Sequence, residues 1–340
     1  MNVKMLNHVS LDSDVIIKRG AGSGTGGSGG GSSTPSRPKW TGHADAEGLR
    51  AIGWTDEDIA YYQQYGVNWN EEDDEYHKVS DDNKALYGVL TADNISTYKN
   101  RIVYLPKIDT SQVTNMSSMF ERCTSLISIP QLNTANVTDM NYMFYYCYSL
   151  ASIPQLNTAN VTDMNHMFYY CYTLTSIPQL NTANVTNMNG MFENCYTLTS
   201  IPQLNTANVT DMYSMFYGCY SLISIPQLET ANVKSMGSMF YSCYTLPSIP
   251  QLETANVTSM SSMFYGCYSL TTAKLKNVKL AYQLNNSALL SKESLLYIIN
   301  NEAATSARTI TLASYAYERL ATDPDIVAAL ANHPNISLAK

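Results

Sequence analysis

Residues 153–176 read IPQLNTANVTDMNHMFYYCYTLTS, and close copies of this phrase follow one another without gaps. Leu105-Pro106 opens the first copy. Ile129-Pro130, Ile153-Pro154, Ile177-Pro178, Ile201-Pro202, Ile225-Pro226 and Ile249-Pro250 open the next six. All seven cysteines (123, 147, 171, 195, 219, 243, 267) fall in one column of the aligned copies. All seven phenylalanines (120, 144, 168, 192, 216, 240, 264) fall in another. Fourteen of the 16 methionines fill two more, beginning at Met116 and Met119. A fixed period in the twenties predicts a solenoid of stacked coils, here over residues 105–272.

Each copy has a physical reading. Val137, Met140, Phe144 and Cys147 are spaced by three or four residues, which predicts one face of a short helix. Leu150 and Ile153 follow in an extended segment, and Pro154, without an N–H, interrupts any ladder there. Thr134 and Asn136 suit a turn. About eight side chains per copy point inward. Their burial cannot offset the ordering of a whole repeat standing alone, so stacked neighbours are required.

The pattern L-x-S-I-P-x-L-x-T-x-x-V-x-x-M-x-x-M-F-x-x-C resembles the BspA-type leucine-rich repeat over about half of the chain. It departs from the common L-x-x-L-x-L-x-x-N form by having Ile-Pro-x-Leu. The resemblance implies a right-handed solenoid with a parallel sheet on one side. Family members are mostly surface adhesins and phage proteins of host-associated bacteria, and the tail of this chain is similar to tails that accompany such repeats in gut-bacterial phage proteins. The fold class is therefore expected to be α/β: a leucine-rich-repeat solenoid of seven 24-residue repeats, with a helical N-terminal cap and an α/β C-terminal cap.

Outside the repeats the chain changes character. Residues 1–19 carry an apolar set, Leu6, Val9, Leu11, Val15, Ile16 and Ile17, expected to anchor the protein to other virion proteins. Residues 20–38 hold eight of the 17 glycines and read as a flexible tether. Residues 39–104 are acidic and contain Trp40, Trp54 and Trp69. Thr55 starts one helix there, and 46–52 and 82–90 suggest two more. Residues 273–340 predict strands over 274–280, 308–313 and 336–339. Helices are predicted after Ser291, over 315–321, and from Pro324 at a first turn.

Composition narrows the function. The 340 residues carry a net charge of −8, which disfavours nucleic-acid binding. Only 14% are charged, yet no apolar run of membrane-spanning length occurs, so no membrane insertion is expected. The first twenty residues lack a secretory signal pattern. Gly22 to Gly27 matches G-x-G-x-x-G, but more Gly and Ser follow instead of a helix. The acidic run 71–75 lacks the spaced ligands of a calcium loop. The five histidines are scattered. No catalytic residue, cofactor or metal is expected, and the protein is read as a non-enzyme. The cysteine column lies within disulfide reach, since adjacent strands are about 4.8 Å apart. A reduced column packed as small hydrophobes is the favoured reading. Asn-Val-Thr at 136, 160, 184, 208 and 256 matches a glycosylation acceptor, and is read as turn chemistry.

Tyrosine is the informative residue, with 26 in all. Tyr148, Tyr172, Tyr196, Tyr220, Tyr244 and Tyr268 follow the cysteines. Tyr145, Tyr169, Tyr217, Tyr241 and Tyr265 follow the phenylalanines. With Tyr142, His166 and Tyr213 from the variable columns, these residues form the candidate receptor-binding set. Tyr offers a large rigid contact surface at small entropic cost. The competing reading is a tyrosine stack that only packs on itself. The expected role is a bacteriophage fibre or decoration protein on the virion surface that recognises a host-surface glycan or protein, with a homo-oligomer possible. The alternatives are a bacterial cell-surface adhesin, and a spacer or intracellular scaffold without a ligand.

Overall fold

The computed structural model describes residues 110–340, apart from 281 and 304. The chain divides into two compact units, Met1–Val89 and Leu90–Lys340, and every described residue belongs to the second. The expected anchor (Leu6, Val9, Leu11, Val15, Ile16, Ile17), tether and helical cap lie outside the described residues, as do the Gly22 motif and the 71–75 acidic run.

Stacked coils run from residue 110 into the C-terminal segment. Parallel bridges join Asn115, Asp139, Asp163, Asn187, Asp211, Ser235 and Ser259 in one line, each exactly one repeat after the last. The eight-residue inward set holds: in one coil Val161, Met164, Met167, Phe168, Cys171, Leu174, Ile177 and Leu180 are all buried. The seven phenylalanine rings stack coil on coil, with centroids 5.4 to 6.1 Å apart. All seven cysteines are buried thiols. Six of their thiols donate to a phenylalanine carbonyl of the preceding coil, as Cys171 Sγ does to Phe144 O at 3.2 Å. Burial pushes the Cys171, Cys195, Cys219, Cys243 and Cys267 thiols up, Cys267 to about 12, which keeps them protonated donors.

The short helix expected in each repeat is not formed. Residues 140–147 make two successive turns instead, with left-handed backbone at Tyr142 (φ 55°) and Tyr146 (φ 60°). The backbone N–H groups alternate. Met143, Tyr145 and Cys147 close turns onto carbonyls three residues back. Met140, Tyr142, Phe144 and Tyr146 donate to Asp163, Asn165, Met167 and Tyr169 on the next coil. An α-helix would direct every N–H inside its own segment. Here half of them hold the stack together. Turns closing at three residues bring 140, 143, 144 and 147 to one face as a helix would, so the spacing alone could not separate the two.

The extended segment after each Leu is also not a regular strand in most coils. Among the described Pro-bearing copies only Ser248–Glu253 (β1) is one, pairing in parallel with Thr272–Lys276 (β2). The reason is Pro: Lys274 stands one repeat after Pro250, where the other copies have proline, and restores the missing donor. β2 stops at Lys276 rather than at the expected residue 280, because Asn277 turns to left-handed backbone (φ 58°).

Beyond it, Tyr282–Leu284 (β3), Arg308–Leu312 (β4) and Ile336–Ala339 (β5) form a parallel sheet in the order β3-β4-β5. β3 is too short to show in the sequence pattern. Lys292–Asn300 (α1) is capped by Ser291, whose side chain accepts from the Ser294 N–H. Ser314–Leu320 (α2) follows, then Pro324–Asn332 (α3), with Asp323 as cap and Pro324 in the first turn. Among the described residues, helices occur only in this C-terminal part. Its interior includes the ion pair of Arg308 with Glu302, 3.0 Å apart.

Candidate functional site

The turns decide where the tyrosines point. The residues that follow each Phe and each Cys lie outside the buried Met, Phe and Cys columns, so their side chains form the outer wall of the two-turn segment. Tyr148, Tyr172, Tyr196, Tyr220, Tyr244 and Tyr268 make one unbroken stack, with centroids 4.9, 4.5, 4.5, 4.9 and 5.5 Å apart. Tyr148 is 36% exposed and Tyr268 54%. Neighbouring coils stand one strand spacing apart, which is a stacking distance, so the repeat itself builds the column.

The column after Phe is interrupted. Tyr145 stacks on Tyr169 at 4.6 Å, and Tyr217, Tyr241 and Tyr265 form a second run at 4.5 and 4.7 Å. Between the runs stands Glu193. Tyr142 stacks on His166 at 5.1 Å. The His166 ring lies over Gly190, where a Cβ would come within 2.7 Å of it. Tyr213 stands outside the stacks, its ring over Gly237, and is 42% exposed. The candidate residues therefore form one unbroken stack, two shorter runs, the Tyr142–His166 pair and the lone Tyr213. Tyr146 and Tyr170, stacked at 5.0 Å, belong to the wall as well.

The variable column that holds Tyr142 and His166 owes its composition to the backbone. Ser118, Tyr142, His166, Gly190, Ser214, Ser238 and Ser262 all have φ between 51° and 57°. Small or polar residues tolerate that region best, so Tyr142 and His166 are the exceptions that carry large rings there.

Electrostatics single out the fourth coil. Burial raises the Glu193 carboxyl to about 7. Burial first, and the Glu193 charge among the smaller causes, push up Tyr169 and Tyr217. Burial lowers His166, keeping its ring neutral. Sequence reasoning does not pick out Glu193; the break it makes in the tyrosine column is the available signal.

A second feature escapes the sequence reading: a groove of about 920 Å³ lined by the Gln, Leu, Asn and Thr columns, including Gln131, Gln155, Asn157, Gln179, Asn181 and Gln203. Each Gln side chain donates to the Gln carbonyl of the next coil, as Gln131 does to Gln155 O at 2.7 Å. The Asn of Asn-Val-Thr donates across the stack too, Asn160 to Ala135 O at 2.8 Å. A Gln recurring in six of the seven copies is its sequence signal. Among the described residues no group of three or more His, Cys, Asp or Glu side chains is placed to hold a metal ion. No helix there is long and apolar enough to cross a membrane.

The family model described as "Mycoplasma protein of unknown function, DUF285" matches residues 92–200 and 172–279, together more than half of the chain. The chain belongs to this family. DUF285 names no activity, so the chemistry of the wall must be argued from its own residues. No protein with a curated description matches the chain. Among solved structures it is similar to the leucine-rich repeat protein of T. pallidum (TpLRR): 24% identity over 49% of this chain and 76% of that one, with a TM-score of 0.39.

Proposed function

We propose that this DUF285 chain is a non-enzymatic binding protein, displayed on a bacteriophage particle, whose tyrosine wall contacts a host-surface glycan or protein. The observation that carries the reading is the unbroken six-ring stack from Tyr148 to Tyr268, with its outer rings open to solvent. Stacked rings held by a rigid backbone lose little entropy on binding, and sugars and side chains both pack on them. Many copies on one particle would multiply weak contacts into avidity. Residues 1–19 would supply the anchor to the particle.

The test is binding of the full chain to host cells and to a glycan array. Changing Tyr148, Tyr172 and Tyr196 together to Ala should weaken binding at least tenfold while leaving the circular dichroism spectrum unchanged. Equal binding by that variant would refute the tyrosine wall. The spacer reading draws on the same stack, because the rings already cover one another's faces; a wild-type chain that binds no surface would favour it. An adhesin would be found on the surface of the cell that makes it, rather than on released particles.

A further inference from the structure

The fourth coil departs from the others in a way that stacking does not require. In the column after Phe, five coils carry Tyr, the first carries Glu121, and the fourth carries Glu193. In the first coil the acid has a cation beside it. Arg122 Nε lies 3.5 Å from Glu121, and the Arg122 guanidinium sits over the Tyr146 ring, 5.7 Å from its centroid. Three coils later the acid recurs as Glu193, but the arginine position is Asn194, turned inward and buried against Gly218. No Lys or Arg occurs anywhere from residue 123 to 233, so neither adjoining coil can supply a Lys or Arg cation. Among the described residues the Glu193 side chain has no ion pair and no side-chain hydrogen bond.

The walls beside it are aromatic. Tyr169 stacks on Tyr145 and Tyr217 on Tyr241, so each ring has its other face toward the fourth coil, where no ring stacks on it. The two rings are two coil steps apart, roughly 10 Å. Glutamate is shorter than tyrosine, so its carboxylate forms a floor below the outer parts of both rings. A cation centred there would lie about 5 Å from each ring, inside the range of a cation–π contact, with a carboxylate beneath it.

We propose that Glu193, Tyr169 and Tyr217 form a binding site for an alkylammonium group, of the kind carried by choline. A quaternary ammonium suits the notch better than a bare ammonium: it presents methyl groups to rings and is cheap to desolvate in a half-buried position. The site deepens the reading of this wall as a contact surface and rests on it.

Its pH dependence is set by Glu193. The Glu193 charge acts on Tyr169 of the coil before and on Tyr217 and Cys219 of the coil after; the same three coils also carry His166, Tyr170, Cys195, Tyr196 and Asp211. Burial pushes up Tyr169, Tyr196, Tyr217, Cys195 and Cys219 and pushes down His166, so these stay neutral near pH 7. Glu193 therefore has to lose its proton for the cation to bind, and affinity falls as pH drops below about 7.

The test is calorimetric titration of the full chain with choline at pH 8. Millimolar binding is expected, at least tenfold weaker in Glu193→Gln, in Tyr217→Leu, and at pH 5.5. The neutral isostere 3,3-dimethylbutan-1-ol should not bind. Equal choline affinity in Glu193→Gln, equal binding of the isostere, or no binding by the wild type would each overturn the site. Retention on phosphatidylcholine vesicles, competed by free choline, would support it with a lipid source. Choline binding without vesicle retention would support it with a soluble or polymer-borne amine. No host cell enters the titration, so its failure is separable from failure of the tyrosine wall in cell binding.

Discussion

At the scale of the residue, Glu193 is costly where it stands. Its folded-state pKa of about 7 lies above the ordinary carboxylate value of 4.5. Between those values the folded chain holds a proton that the unfolded chain has lost. Stability from this group is thus present below about pH 4.5 and is lost as pH rises through 7. Glu193→Gln removes the dependence. The variant should match the wild type near pH 4 and exceed it by about 2 kcal/mol at pH 8, allowing for partial solvent screening. Urea unfolding followed across that range measures the difference; parallel curves at both ends would show that Glu193 carries no such penalty. The carboxylate was plainly written in the sequence. Its unusual state was not, because it comes from burial, and that burial exists only once the coils have stacked.

At the scale of the element, the two-turn segment is the unit of this fold. It places a left-handed residue at its first turn and another at its second, as at Ser238 (φ 54°) and Ser242 (φ 59°). An L side chain in that region costs about 1–2 kcal/mol, which glycine avoids. Gly190 already occupies the position in the fourth coil. Ser238→Gly should therefore stabilise the chain by up to about 1 kcal/mol, less the extra entropy glycine brings to the unfolded state. A fall in the thermal midpoint would contradict the left-handed geometry. Spacing of three and four residues was legible and gave the correct inward face. The choice of turns over helix was not, because it depends on alternate N–H groups finding carbonyls on a neighbouring coil. In the C-terminal part the helices are self-contained, and there the cap at Ser291 and the first-turn Pro324 marked two of their starts correctly.

At the scale of the whole molecule, each coil touches its two neighbours, so stability propagates along one dimension. Phe192 sits in the middle of the seven-ring column, fully buried between Phe168 and Phe216. Phe192→Ala should cost about 3–5 kcal/mol. It should also split unfolding into separate steps for the coils on either side. Hydrogen exchange along the chain reads this directly: protection should drop first in the fourth coil and its neighbours. Uniform loss over all coils would instead mean that the stack unfolds as one block.

The sequence by itself determined the period, the inward columns and the side on which tyrosines gather, because these follow from which residues recur at fixed intervals. Tertiary structure alone decided that the segment is a pair of turns, that six tyrosines stack without a break while others do not, and that Glu193 sits unpaired between two aromatic walls. The physical reason is the same in each case. Those features are made by groups one or two repeats apart in the chain, brought within contact only when the coils stack.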